Sequence, residues 1–95
     1  MQLGLQECLD MIDLTEDEIA AVAEHEHVPL IVGAELAGYL IEAPDGVPRL
    51  KAIIVDDIAH AEARGDAAHA EKLRAVLRHF VLTHPEFEGG KAARA

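Results

Sequence analysis

The stretch LTEDEIAAVAEHEHVP, residues 14–29, contains the clearest helix start in the chain. Thr15 followed three residues later by Glu18 is the pattern of a capping box, in which each side chain accepts a hydrogen bond from the other residue's backbone N–H. Leu14 and Ile19 flank this pair as a hydrophobic staple, which orients the chain as it enters the helix. The stretch therefore predicts that a helix begins directly after Thr15.

The helix that begins there continues past the quoted stretch. Its apolar residues recur with a helical period, and we predict one helix over residues 16–42 that ends before the Pro- and Gly-containing turn at residues 43–46. Pro29 lies inside this helix and has no N–H to donate to the carbonyl of His25. We therefore predict a kink at Pro29, or two helices that abut there.

Further helices are predicted on both sides of this segment. Residues 3–13 have an amphipathic pattern that predicts a short N-terminal helix. Pro48 suits the first turn of a third helix, which stops at Gly65. Asp66 caps a fourth helix at once, and Pro85 ends it. Because the connection between the third and fourth helices is so short, we expect them to lie side by side and antiparallel.

The fold class predicted from these elements is all-α. We expect a small up-and-down helical bundle with one short N-terminal helix and three longer helices, the second kinked at Pro29. The chain of 95 residues allows one small domain, which we place at residues 1–85. Residues 86–95 contain paired glycines and read as a disordered tail. Half of the residues are apolar, but aromatic residues are few, so the core must be aliphatic.

The charge of the chain restricts its partners and its location. The formal net charge is −10, and residues 1–48 hold eleven acidic side chains with no Lys or Arg. This balance disfavours nucleic acid and anionic membranes as partners. The longest apolar run, residues 28–41, is interrupted by Glu35 and is too short to span a membrane. With one cysteine and no signal-peptide pattern, a cytoplasmic location is expected.

Histidine is abundant, with six residues in the chain, and several fall on predicted core faces. On helical wheels Glu26 and His27 lie in and beside the apolar stripe of the second helix, whereas His25 points outward. His84 lies on a core face at the opposite end of the bundle. We predict that one end of the bundle gathers five ionisable side chains: Glu26, His27, Asp57, His60 and His69.

Burying so many ionisable groups is costly unless they pair, lose their charge or bind a metal. Imidazole and carboxylate ligands without thiolate suit a transition metal such as Fe, Zn or Mn. His69 is expected at the N-terminus of the fourth helix, where the helix dipole favours the neutral ring that a metal requires. The alternative is a salt-bridge network that serves packing alone.

Two short motifs, Glu24-x-x-His27 and Asp57-x-x-His60, resemble the paired Glu-x-x-His motifs of the ferritin-like di-iron carboxylate bundles. The resemblance covers four residues, and the second motif begins with Asp. It implies a di-iron or di-manganese site between facing helices, with oxidase-type or storage chemistry. A dimer would then be needed to complete the family's ligand set.

A second class of function needs no bound ion. The small residues Gly33, Ala34, Ala37 and Gly38 form a smooth surface on the second helix, which another helix could approach closely. This surface suits a homodimer or a module that docks on a partner protein, and close packing inside the monomer is the alternative. The chain has no serine, and Cys8 has no base nearby in sequence, so no catalytic residues are predicted and enzymatic activity is left open.

Overall fold

Four helices account for most of residues 12–85, the part of the chain that the computed structural model describes. The all-α class is confirmed. The helix predicted over residues 3–13 lies outside the described part except for Ile12 and Asp13, which are not helical, and the predicted tail at 86–95 also lies outside it. The helices are α1 (Glu16–Glu26), α2 (Leu30–Glu42), α3 (Gly46–Ala63) and α4 (Ala67–Thr83).

The helix starts follow the predicted caps. The backbone N–H of Glu18 donates to Thr15 Oγ1 at 3.1 Å, and the backbone N–H of Thr15 donates to Glu18 Oε1 at 2.8 Å, which completes the capping box. The Asp66 side chain caps α4 by accepting a hydrogen bond from the backbone N–H of His69 at 3.1 Å. Between α3 and α4, Gly65 has a φ of +78°, a left-handed conformation that glycine adopts without a steric penalty.

The prediction of a single kinked helix over residues 16–42 is wrong, because the helix ends at Glu26 and a new helix begins at Leu30. His27 takes a left-handed conformation, with φ 59° and ψ 46°. Its N–H donates to the carbonyl of Glu24 at 3.3 Å, and the N–H of Val28 donates to the carbonyl of Ala23 at 3.1 Å. These two bonds form a Schellman motif, which ends α1 before Pro29 is reached. The alternative of two abutting helices is the correct one.

Across this break α2 folds back and packs against α1. A Cβ atom added to Gly33 would lie only 2.6 Å from the Cβ of Ala23, whereas ten residues of a continuous helix would separate the two by about 15 Å along the axis. Gly33, Ala34 and Ala37 are buried. The smooth surface of small residues therefore packs inside the monomer, and the partner-facing role considered for it from the sequence is not needed.

The core lies between α3 and the other helices, since α3 packs against all three. It is aliphatic as predicted, with Phe80 as its one aromatic side chain among the described residues. None of the four described helices combines the length and apolar character that crossing a bilayer requires. The largest fully buried apolar side chains are Phe80, Ile19, Leu50, Ile54 and Val22.

The left-handed conformation of His27 leads to a stability prediction. A side chain in this conformation costs about 1 kcal/mol relative to glycine. His27→Gly should therefore raise the free energy of unfolding by about 1 kcal/mol in urea denaturation. Ala20→Gly is the matched control: this exposed residue lies inside α1, so the substitution should lower stability by about the same amount. A loss of stability in His27→Gly would show that the imidazole makes a contact outweighing its backbone strain.

Candidate functional site

Polar side chains collect where the C-terminal end of α1 meets α3 and the first turn of α4. The hydrogen bonds and ion pairs among them join three helices. This group, called the polar cluster below, consists of Glu24, His25, Glu26, Asp56, Asp57, His60 and His69.

His25 links α1 to α3. Its Nε2 lies 3.1 Å from Asp56 Oδ2, and its Nδ1 lies 3.2 Å from Glu26 Oε2. His60 Nε2 lies 3.8 Å from the same Asp56 oxygen, so two imidazole rings approach one carboxylate atom. Burial of the His25 ring opposes its protonation. The hydrogen bond with Glu26 and the charges of Asp57 and Asp56 outweigh this effect and raise the pKa of His25 above its usual 6.5.

His69 forms the second link, from α4 back to α1. Its Nε2 lies 2.7 Å from Glu24 Oε1, and both side chains are about two-thirds buried. Burial keeps this contact less screened by solvent than an ion pair on the open surface. Together the two links tie the last turn of α1 to both of the long helices.

Asp57 is the most deeply buried member of the polar cluster, with 2% of its surface exposed. Its Oδ2 has no hydrogen-bond partner. Burial raises the pKa of this carboxyl to about 6, and the nearby charges of Glu24 and Asp56 act in the same direction, opposed by His25 and His60. At neutral pH the fold therefore carries an unfavourable buried carboxylate.

The five residues proposed from the sequence are not equally buried. Asp57 is buried as predicted, and His69 is half-buried. Glu26 is wrong as a core residue, because 46% of its side chain is exposed. It is the last residue of α1, where a position within the apolar stripe no longer brings the side chain against a neighbour. His27 is exposed at the helix end, and His60 has 68% of its side chain exposed, so neither faces the core.

The polar cluster contains three residues that the sequence analysis did not select. His25 was predicted to point outward, but its ring reaches across to Asp56 on α3. Glu24 was considered only through its spacing motif, and it binds His69 rather than lying beside His27. No sequence signal gives these pairings, because each joins residues at least 31 positions apart.

His84 is separate from the polar cluster, as predicted. It is buried and stacks on Phe80 with ring centroids 4.5 Å apart. Its Nε2 lies 3.0 Å from the carbonyl oxygen of Asp13, and its Nδ1 lies 3.1 Å from that of Phe80. These contacts attach the segment before α1 to the end of α4, which is a packing role.

A second feature is the surface of α2 that faces away from the core. Ile31, Leu36 and Tyr39 are exposed there, and Tyr39 has 77% of its surface accessible. Glu35 and Glu42 are exposed on the same side of the helix. We call these five residues the outer face of α2. Its apolar side chains are larger than the Gly and Ala residues that α2 buries.

No protein-family model, curated protein or solved structure matches this chain. Within residues 12–85, no group of three or more His, Cys, Asp or Glu side chains is arranged to hold a metal ion. Within the described residues, the paired polar cluster and the outer face of α2 are two candidate functional features.

Proposed function

We propose that this protein is a non-catalytic protein-interaction module, which binds a partner through the outer face of α2. The polar cluster acts in this proposal as an ion-pair network that sets how α1 packs on α3 and α4. The observation that carries the proposal is the grouping of Ile31, Leu36 and Tyr39 on one exposed side of a single helix. Single exposed apolar residues are normal on protein surfaces, but several together mark interaction sites.

The residue distribution within α2 supports an outward role for this helix. Nine of its thirteen residues are aliphatic, aromatic or alanine, and only Glu35 and Glu42 are charged. The side against α1 is occupied by Gly33, Ala34 and Ala37, which permit close packing. Leu30, Leu40 and Ile41 pack against the core, whereas Ile31, Leu36 and Tyr39 are left exposed for contact with another molecule.

Site-specific photocrosslinking tests the interaction function. A photoreactive phenylalanine analogue replaces Tyr39 in the full chain, and the same analogue replaces Leu82 on α4 as a control, since Leu82 is 78% exposed. We expect one dominant adduct from position 39 and none from position 82, identified by mass spectrometry. An adduct of twice the chain's mass would identify the homodimer. Equal and diffuse labelling from both positions would contradict the proposal.

The network role of the polar cluster predicts a measurable coupling between its partners. A double-mutant cycle with Glu24→Gln and His69→Gln should give an interaction energy of about 0.5 to 1 kcal/mol in chemical denaturation. The control cycle uses Asp45→Asn and Arg49→Gln, an exposed pair 4.0 Å apart, whose coupling should be close to zero. Equal coupling in the two cycles would show that the Glu24–His69 contact does not hold α4 to α1.

A transition-metal site is the second candidate function. Two observations favour it: the rings of His25 and His60 approach one oxygen of Asp56, and Asp57 presents a buried oxygen without a partner. Imidazole and carboxylate are ligands for Fe, Zn or Mn. Because no three of these donors are arranged around one point in the described residues, an ion would have to draw them closer together.

Elemental analysis of untagged protein, purified without chelator, tests this candidate. A metal whose free concentration is a hundred times its dissociation constant would stabilise the fold by about 2.7 kcal/mol. A thermal-shift assay detects a change of this size. His60→Gln should then remove the shift, and His79→Gln, an exposed histidine on α4, should leave it unchanged. A metal content below about 0.1 equivalent with no thermal shift would exclude a metal-binding function.

A further inference from the structure

The outer face of α2 has the spacing of a helix-docking surface. Ile31, Glu35 and Tyr39 follow one another at intervals of four residues and therefore form a single row along the helix. Leu36 lies beside this row and Glu42 continues it by one turn. The helix is about 20 Å long, which is enough to contact three to four turns of another helix.

The segment of the chain that carries this face is acidic. Between residues 12 and 48 the chain has nine Asp or Glu residues and no Lys or Arg. Among the described residues, bases begin at Arg49, which lies 4.0 Å from Asp45, and Arg64 and Arg74 also lie against acidic side chains. A partner that covers the outer face of α2 would thus meet apolar side chains bordered by carboxylates.

A second copy of the chain does not complement such a surface. In a two-fold symmetric contact centred on Glu35, the middle of the row, this carboxylate would face its counterpart in the other copy. Like charges brought together at an interface disfavour association. Charge complementarity instead favours an occupant that carries bases.

We infer that the outer face of α2 docks a basic amphipathic helix of a partner protein. Its apolar residues, at intervals of three and four, pack against Ile31, Leu36 and Tyr39, and Lys or Arg residues beside them pair with Glu35 and Glu42. Two helices that pack face to face in this way use apolar contacts for affinity and flanking charges for selectivity. The inference rests on the proposed interaction function and specifies its partner.

Three synthetic helical peptides test the inference on the full-length protein. They share one apolar face and differ only in polar-face residues, which are Lys, Gln or Glu. The peptides lack Tyr and Trp, so the fluorescence of Tyr39, the only tyrosine in a chain without tryptophan, reports occupancy of this face. Calorimetry supplies the affinity. We expect the Lys peptide to bind at least about tenfold more tightly than the Gln peptide, the Glu peptide not to bind, and added salt to weaken binding.

Matched variants separate docking on α2 from general attraction to an acidic protein. Leu36→Ser combined with Tyr39→Ser leaves the charge of the protein unchanged and should lower its affinity for the Lys peptide at least about tenfold. Leu82→Ser should leave this affinity unchanged. Glu35→Gln with Glu42→Gln should weaken binding more than Glu16→Gln with Asp17→Asn, which removes two exposed charges from the start of α1.

Three outcomes would overturn the inference. Equal binding of the Lys and Glu peptides would show that charge does not select the partner, and the interaction function would stand. Binding of the Lys peptide that is unaffected by the Leu36 and Tyr39 substitutions would place the contact elsewhere. If no peptide binds, a crosslinked dimer at position 39 would retain the interaction function with a second copy as occupant, and diffuse crosslinking would end both proposals.

Discussion

Asp57→Asn is expected to raise the free energy of unfolding by about 3 kcal/mol at pH 8. The folded state raises the pKa of Asp57 from its usual 3.8 to about 6, chiefly through burial and also through the charge of Glu24. Each pKa unit corresponds to about 1.4 kcal/mol of difference between the protonation states. Asparagine has nearly the shape of the carboxyl group but carries no charge, so it removes this cost.

The stabilisation should depend on pH in a defined direction. Because the folded state binds the proton of Asp57 more tightly than the unfolded state, ionised Asp57 destabilises the fold above pH 6. As the pH falls from about 6 to 4, the folded protein gains this proton and recovers the lost stability. Below about pH 4 the carboxyl is protonated in both states. The advantage of Asp57→Asn should therefore be full at pH 8 and vanish near pH 4.

Urea denaturation gives the free energy of unfolding of the original protein and of Asp57→Asn at each pH between 4 and 8. The difference between the two values removes the contribution of the titrating groups that both proteins share. The neighbouring substitution Asp56→Asn serves as the control. Asp56 is half-exposed and contacts His25, so its replacement should lower stability at neutral pH. If Asp57→Asn is less stable than the original at pH 8, the carboxylate makes a favourable contact that asparagine cannot make. A bound cation would be one such contact, and metal analysis of the original protein would test it.

Gly33→Ala is expected to lower the free energy of unfolding by about 2 kcal/mol. The added Cβ would lie 2.6 Å from the Cβ of Ala23 and 3.0 Å from its Cα. Part of this contact is with backbone, so α1 and α2 would have to move apart, and overpacking of this kind costs about 1 to 3 kcal/mol. The loss should exceed the gain of up to about 1 kcal/mol that alanine normally brings to a helix.

The same substitution at Gly38 provides an internal control. A Cβ there would lie 3.3 Å from the Cδ1 of Ile12, which is the far end of a flexible side chain. Gly38→Ala should therefore be neutral or raise stability by up to about 1 kcal/mol in the same urea assay. Equal effects of the two substitutions would mean that α2 does not pack closely on α1 through Gly33.

Local signals in the sequence predicted the helix starts correctly. The capping box of Thr15 and Glu18 and the Asp66 cap use hydrogen bonds between residues three positions apart, so the residues that decide them stand together in the sequence. The break near Pro29 was predicted as either a kink or two abutting helices, and the second form is correct. A kink and a reversal of chain direction are both compatible with a proline that has no N–H to donate. The left-handed conformation of His27 ends α1 and produces the reversal.

The candidate site was predicted less well. Helical wheels identified Asp57 as an inward carboxylate because it lies in the middle of α3, where neighbours surround it on every side. The wheels failed for Glu26 and His27, which lie at the end of α1. They also failed for His25, whose imidazole contacts Asp56 on α3. A helical wheel gives the direction of a side chain relative to the helix axis. It does not show whether a neighbouring helix lies in that direction, least of all at the end of a helix.

The sequence by itself determined the helical class, the caps and the approximate position at which the helix is interrupted near Pro29. These features depend on propensities and hydrogen bonds within a few residues. Only the tertiary structure decided how the helices are used. It placed Gly33 against Ala23, left Ile31, Leu36 and Tyr39 outside, and paired His25 and His69 with carboxylates on other helices. The approach of Gly33 to Ala23 depends on how α2 folds back on α1, and the histidine pairings depend on how α1 packs against α3 and α4. Both bring together residues whose proximity no local pattern encodes.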